Sequence, residues 1–412
     1  MSSKMTGVAL LLVLTSTLSP GTAVCQEPVP LSPRYDRGLT LASSDGDLEI
    51  RFQGRLHLHW TAWNNDSAME DSGKAAQDGF YFRRARIKIS GKLNDNIRFK
   101  LQPDFSGGAT KIDTAHIQID GLLPLGTFRV GKLVEPFGLD TLTSSNDSLF
   151  VERSSGKDAI SPDKNIGFLI GDSWRDSKGT WSIGGFRDGT GSEGDSFGNN
   201  DLSWAGRVTW LPIDNKKEKR LLHLGLAGSF RKPPGGSTRF SARPEARPSE
   251  KLLDTGIIQG VSSVHLVGLE TAWFEGPFAL QGEQMFATTQ LDSDSDRHFL
   301  HYHVSASYFL TGEQREYSRK KGIPSGVTPL TNWREDGGSG ALQVVCRYSY
   351  TDLEDGGIDG GVLEQVTLGL NWYLDPATRI LLDHVWVSAS PIAGTAIDGS
   401  SDALALRFQI AF

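Results

Sequence analysis

Seven cations stand at alternate positions in three neighbouring stretches of the chain: Arg51 and Arg55, then Arg84, Arg86 and Lys88, then Arg98 and Lys100. Side chains two residues apart on an extended backbone project from the same face, so each stretch would carry a one-sided basic stripe. Only Glu49 and Asp104 bring opposite charge to those faces, and Arg207, Arg347 and Arg407 continue the bias further along. Guanidinium groups offer paired donors matched to the oxygens of an oxyanion, and their weak hydration lets them pass the ion on. A ladder of such groups beside water favours anions over cations. The competing reading, that these charges keep a wet face polar and pair with carboxylates across it, stays open at this point.

The opposite faces show what must hold the stripes. Ile50, Phe52, Leu56, Leu58 and Trp60 alternate with the first set, Ala85, Ile87 and Ile89 with the second, and Ile97, Phe99, Leu101 and Phe105 with the third. Such alternation in segments of about ten residues is the signature of strands with water on one side and hydrocarbon on the other. It recurs near 112–120, 126–134, 166–173, 179–188, 201–213, 220–230, 262–275, 277–290, 298–311, 340–353, 362–375, 378–390 and 402–412, which brings the count to 16. The final stretch sets Leu404, Leu406, Phe408, Ile410 and Phe412 against Ala405, Arg407, Gln409 and Ala411, the pattern of a closing barrel strand. The predicted fold is all-β: a closed antiparallel transmembrane β-barrel of about sixteen strands, wide enough for an aqueous lumen. Links at 93–95, 121–125, 174–178, 214–219, 275–276 and 375–377 are short, as periplasmic turns should be, and loops at 62–78, 135–165, 189–200 and 231–261 are longer. Gly312 to Ser339 is long yet falls among the turns. Trp60, Trp204, Trp210, Trp273, Trp372, Trp386, Tyr308 and Phe412 would populate the two aromatic girdles.

The N-terminus predicts export. Lys4, an apolar run from Val8 to Leu18, and small residues at Ala23 and Cys25 make residues 1–25 a signal peptide. A short periplasmic segment, 26–47, and the barrel, 48–412, follow. The apolar run is too short to cross a bilayer as a helix, so a membrane crossing must be made by strands, and the expected location is the cell outer membrane. Removal of Cys25 leaves Cys346 alone, which excludes a disulfide framework. The net charge of −7 argues against a nucleic-acid partner. Acidic residues gather in loops such as Asp66–Asp78, Asp292–Asp296 and Asp352–Asp359, beyond the ends of the basic stripes.

Several runs, taken in order, resemble the phosphate-selective porin O/P family of Gram-negative outer membranes. They are Phe82-Arg83-Arg84-Ala85-Arg86-Ile87, Leu101-Gln102-Pro103-Asp104-Phe105, Val130 to Gly138, Phe150-Val151-Glu152-Arg153-Ser154, Tyr308 to Glu313 with Tyr317 and Arg319-Lys320, Arg347 to Tyr350, and Thr367 to Leu374. The resemblance implies a homotrimer of barrels passing phosphate or polyphosphate through a constriction. On that footing Arg55, Arg83, Arg84 and Lys100 belong to the narrow part, with Arg86, Lys88 and Arg98 in the same ladder and Asp104 tempering its grip. It also implies inward-folded loops: 135–165 from outside, and 312–339 from the periplasm, which would bring Arg319, Lys320 and Lys321 near the path. Arg83 has the parity of lipid-facing Ala85, so a bulge or the strand's end must redirect it.

Three motifs point elsewhere and are weaker. Gly194-Asp195-Ser196-Phe197-Gly198 has the form of a nucleophile elbow but sits in a Gly/Asp/Ser-rich loop without partners. His57-x-His59 and His301-x-His303 offer two imidazoles each and no third ligand. Asp292-x-Asp294-x-Asp296 has Arg297 where a calcium loop needs glycine. The expectation is therefore a passive anion-selective diffusion channel in contact with lipid and lipopolysaccharide, without metal, cofactor or catalytic residues. A general or carbohydrate-type porin is the nearest alternative, and an outer-membrane hydrolase the remoter one.

Overall fold

The computed structural model describes residues 30–123, 126–187, 202–292 and 295–412. The signal-peptide motif, the loop at 189–200 with Gly194–Gly198, and Asp294 lie outside them. Among the described residues, eighteen strands join one antiparallel sheet. Two short ones, β1 (Leu31–Tyr35) and β2 (Leu39–Ser43), form a hairpin. The other sixteen are β3 (Leu48–Asn65), β4 (Gly79–Leu93), β5 (Ile97–Asp104), β6 (Lys111–Leu123), β7 (Gly126–Val134), β8 (Lys164–Trp174), β9 (Gly179–Arg187), β10 (Ser203–Asn215), β11 (Arg220–Arg231), β12 (Val261–Glu275), β13 (Phe278–Leu291), β14 (Arg297–Phe309), β15 (Ala341–Asp355), β16 (Ile358–Tyr373), β17 (Thr378–Ser390) and β18 (Gly399–Ala411). Each pairs with the next, and β18 returns to β3 from Ser401↔Asn65 to Ala411↔Arg55. Closure leaves no ladder of unpaired backbone groups facing lipid, which hydrocarbon would penalise heavily.

The sixteen predicted strands all appear, and the long segment at 310–340 does join β14 to β15 among the short turns. The alternation has the predicted sense. Phe52, Leu56, Phe82, Ile87, Leu101, Leu404, Phe408 and Ile410 project outward, while His57, His59, Arg84, Arg207 and Arg407 are buried within. Trp204, Trp210, Trp273, Trp386, Tyr308 and Phe412 lie on the outer surface. Phe412 also locks the seam: Gly54 and Phe412 exchange backbone hydrogen bonds, and the ring lies where a Cβ on Gly54 would stand, 2.4 Å from Cζ.

The N-terminal segment is not merely a tether. β2 pairs with the first turn-side residues of β3, Leu39↔Phe52 to Ala42↔Glu49, where β18 no longer reaches. The β1–β2 turn bends over the lumen mouth, with the Asp36 carbonyl accepting from Arg51 Nη2 at 2.6 Å and the Arg37 carbonyl from Gln53 Nε2 at 3.0 Å.

Three connections fill much of the lumen. The first, 135–163, carries short helices at Leu139–Leu142 and Gly156–Ala159 and buries Phe137, Leu139, Leu149, Phe150 and Val151. The second, 232–260, buries Phe240, Ala242, Ala246, Leu252 and Leu253 against it. The third is the turn-side segment 310–340, whose Val327 packs with Phe309, Ala341 and Tyr373. Inward folding of 135–165 and 312–339 was expected; that of 232–260 was not. Removing that much apolar side chain from water stabilises each loop's inward position, at about 25 cal/mol per Å².

Candidate functional site

The inward arginines divide by what they touch. Arg407, on β18 and 1% exposed, donates to the Ser145 carbonyl (3.3 Å), the Ser148 hydroxyl (3.3 Å), the Phe150 carbonyl (3.4 Å) and the Val151 carbonyl, and its Nε donates to His59 Nε2 at 2.9 Å. Arg379 on β17 reaches the Ser148 carbonyl at 2.7 Å, and Arg347 on β15 the Glu152 carbonyl at 3.1 Å. Asp383 on β17 accepts from the Val151 amide at 2.7 Å, and Asn371 on β16 donates to the Leu149 carbonyl at 2.9 Å. A loop threaded through a lumen lacks the partners that a helix or sheet would give its backbone. These side chains supply them.

Arg83 and Arg84 serve the same loop. Between His57↔Arg84 and Leu58↔Phe82 the ladder skips one residue, so Arg83 is the extra residue of a β-bulge. The bulge resolves the parity conflict: Arg83 turns in and grips Glu152 with Nε–Oε1 at 2.7 Å and Nη2–Oε2 at 3.1 Å. Burial pushes the Glu152 carboxyl up, but the Arg83 guanidinium with its hydrogen bonds, helped by His59 and Arg84, outweighs it and holds the group well below the ordinary glutamate range. Arg84 is buried behind the loop beside His57, 3.5 Å from its Nδ1.

The remaining ladder lies on β3–β5. Arg86 is committed, to Asp104 at 2.7 Å and to Asp113 at 2.9 Å, and Lys164 closes on Asp113 at 2.5 Å. Asp104 thus engages Arg86, and Asp113, which the strand pattern did not single out, does as much. Asp113 is itself the extra residue of a bulge, between Thr114 and Ile112 opposite Gln102 and Pro103, and the bulge turns it inward from the parity of lipid-facing Ala115 and Ile117. Arg98 sits near the turn side with Asp120 at 2.8 Å. Arg55 carries no carboxylate partner among the described residues; Nη1 donates to the Ser145 hydroxyl at 2.9 Å. Lys88, opposite Gln53 in the ladder, makes no ion pair among the described residues and stands in electrostatic reach of Arg55, Arg51 and Lys321. Lys100, one strand on, stands in reach of Lys88 and Arg55.

Arg37, Arg51, Arg55, Arg86 and Lys88 line one side of an open cavity of about 520 Å³ at the turn side of the lumen. Asn146 and Asp147 of the first inward loop face them, with Gly326 and Thr328 of the turn-side segment. That segment is held by Arg207, whose Nη2 donates both to the Gly322 carbonyl at 2.7 Å and to Glu270 Oε2 at 2.6 Å, while its Nε donates to Glu270 Oε1 at 2.9 Å. Arg315 donates to the Asp147 carbonyl at 2.9 Å, and burial brings its guanidinium down to about 10. Of the three cations expected here, Arg319 is paired with Asp214 at 2.6 Å, Lys320 is exposed, and Lys321 lies near Lys88 and Asp147. The histidine pairs are spent on the first inward loop and the wall: His57 Nε2 meets Asn146 of the loop at 3.0 Å, and His301 meets Thr351 at 2.8 Å and His303 at 3.3 Å on the wall.

A model of the family described as phosphate-selective porin O and P matches residues 51–412, the whole barrel from its first strand to its seam. The chain belongs to this porin family. Porin O of Pseudomonas aeruginosa is 24% identical over 98% of the chain and 97% of its own length. An uncharacterized protein of Caulobacter vibrioides is 27% identical over 80% of the chain, which spans only 66% of that relative. Among solved structures, the anion-selective porin of Comamonas acidovorans superposes with a TM-score of 0.52 at 14% identity, covering 89% of this chain and all of that one. The outer membrane channel DcaP of Acinetobacter baumannii gives 0.56 at 10% identity, over 90% and 99%. These structures share the porin's fold, and the protein is an outer-membrane porin.

Proposed function

We propose that this porin is a passive, anion-selective diffusion channel for phosphate or polyphosphate, working as a homotrimer and catalysing no reaction. The observation that carries this reading is the contrast between two sets of cations. Arg407, Arg379, Arg347 and Arg83 are used up on the first inward loop, and Arg86 is neutralised by two carboxylates. Arg55, Lys88 and Arg51 instead line the open cavity together, with Lys100 and Lys321 in electrostatic reach. Arg51 and Arg55 hold only neutral acceptors, the Asp36 carbonyl and the Ser145 hydroxyl, and cations not neutralised by a carboxylate give a passing anion successive sites of moderate strength, which is what conduction requires. The kinship to Porin O and the anion selectivity of the Comamonas porin point the same way. Arg83, Arg84, Arg98, Arg319 and Lys320 belong in this reading to the scaffold or the approaches, and Arg55, Lys88, Lys100 and Lys321 to the path.

In planar bilayers the reversal potential in a KCl gradient should have the sign of chloride preference, and phosphate should block the chloride current. In Lys88→Gln/Lys100→Gln the half-blocking phosphate concentration should rise about tenfold or more, as expected for losing two charge-assisted contacts. Cation preference in the wild type would leave a general porin. Cross-linking that yields only monomers would remove the trimer.

A further inference from the structure

Three carboxylates line the cavity, and they differ in one respect. Asp375 accepts from the amides of Ala377 (2.6 Å) and Thr378 (2.8 Å), and Glu316 accepts from the Thr328 hydroxyl at 3.3 Å. The Asp147 carboxylate makes no hydrogen bond or ion pair among the described residues, though its backbone is fixed on both sides. Its amide donates to the Ser144 carbonyl at 2.8 Å, and its carbonyl accepts from Arg315 at 2.9 Å. It is half-buried and lines the cavity together with Arg55 and Arg379, and Arg315 and Lys321 stand in electrostatic reach of it. An acceptor left without a donor among four cations repels the anions that those cations attract. Such a placement weakens any channel that merely gathers negative charge. It is useful where the ion itself brings a proton.

We propose that Asp147 is a specificity-determining residue of the anion path: its carboxylate accepts a hydrogen bond from the O–H of a protonated oxyanion such as hydrogen phosphate, and turns away fully deprotonated oxyanions of similar size and charge such as sulfate. The inference rests on the anion-channel reading above. Near neutral pH inorganic phosphate keeps at least one O–H, whereas sulfate keeps none and presents only acceptors. Arg55 and Lys88 grip the oxygens of either ion. Against Asp147 the first forms a hydrogen bond and the second sets lone pairs facing lone pairs. No proton need be transferred, so the ion leaves as it entered. An acceptor partly shielded from water discriminates against a ligand lacking the matching donor, because the ligand's entry leaves it unpaired.

The test is block of the chloride current through the full-length porin in planar bilayers at neutral pH, by sodium phosphate, arsenate and sulfate. Arsenate shares the O–H of phosphate, so in the wild type both should half-block at concentrations at least about tenfold below that of sulfate. In Asp147→Asn, checked for heat-modifiable migration, the gap should shrink to about twofold, chiefly through stronger sulfate block, while Asp147→Glu should keep most of it. Equal block by sulfate and phosphate in the wild type overturns the proposal without recourse to any variant, and so does a full gap in Asp147→Asn. A wild-type channel that no anion blocks removes the anion-channel reading and this inference with it.

Discussion

Arginine does two jobs in this lumen, separated by the company it keeps. Arg407 is the clearest anchor, since its planar fork spans the carbonyls of Ser145, Phe150 and Val151 together. Lysine cannot span them, having a compact ammonium in place of the fork. Arg407→Ala should leave several buried carbonyls without donors, at about 1–3 kcal/mol each. The expected result is a folded barrel whose first inward loop undocks, with larger and noisier single-channel currents and new protease cleavage within 135–163. An unchanged conductance would mean that the apolar contacts of Phe137, Leu149 and Phe150 hold the loop alone. Glu152 makes the acid side of this anchoring testable. Its pKa is depressed by Arg83, so the stabilisation is present above the ordinary carboxylate value near 4.3. It is lost only as pH falls through the lower value that the folded protein imposes. Wild-type conductance should therefore hold steady from pH 7 to 5, while Glu152→Gln should show the loosened loop already at pH 7.

The elements follow the period-two pattern closely because each strand's two faces meet different solvents, and every strand of the barrel was legible for that reason. Arg83 was legible as an anomaly: its parity conflicted with Ala85, and the bulge is the solution the backbone takes. Asp113 carried the same signal, a carboxylate with the parity of lipid-facing Ala115 and Ile117, and was overlooked; its own bulge is again the backbone's solution. The inward turn of 232–260 was missed although Phe240, Leu252, Leu253 and Ile258 are costly to leave in water in an outer loop, and that signal was available. The division of arginines into anchors and path could not be read from strands alone, since it depends on loop carbonyls contributed from far along the chain. One backbone position governs how the turn-side segment docks. Gly322 has φ of +63°, and a Cβ there would stand 2.7 Å from Thr209 Oγ1 and 2.8 Å from Thr180 Oγ1. Gly322→Ala should push the segment off the wall, break the Arg207 contact and raise conductance, with the barrel's heat-modifiable migration intact. Conductance equal to the wild type would show that 310–340 does not border the path.

Taken whole, the molecule carries −7 overall yet lines its inner cavity with Arg51, Arg55 and Lys88, which have no carboxylate partner among the described residues, so its net charge misrepresents what a small ion meets. Asp352, Glu354, Asp355 and Asp359 gather at the long-loop end, and Arg37, Arg51, Arg55 and Lys88 at the other. Two electrostatic effects then act on a permeating anion, and salt separates them. The field of the basic wall reaches into the vestibule over the Debye length, about 10 Å at 0.1 M and about 3 Å at 1 M. Contact between a bound oxyanion and Arg55 or Lys88 occurs within hydrogen-bonding distance and is screened far less. Chloride preference measured by reversal potential should therefore fall several-fold between 0.1 M and 1 M KCl. Block by phosphate should persist at 1 M, displaced only as far as competition from chloride requires. If the preference instead stays flat across that range, long-range steering by the wall contributes nothing and selection resides wholly in contact at the constriction. If phosphate block vanishes along with the preference, the cations of β3–β5 gather anions without binding any of them, and the acidic rim and basic lumen act only as a pair of opposed potentials.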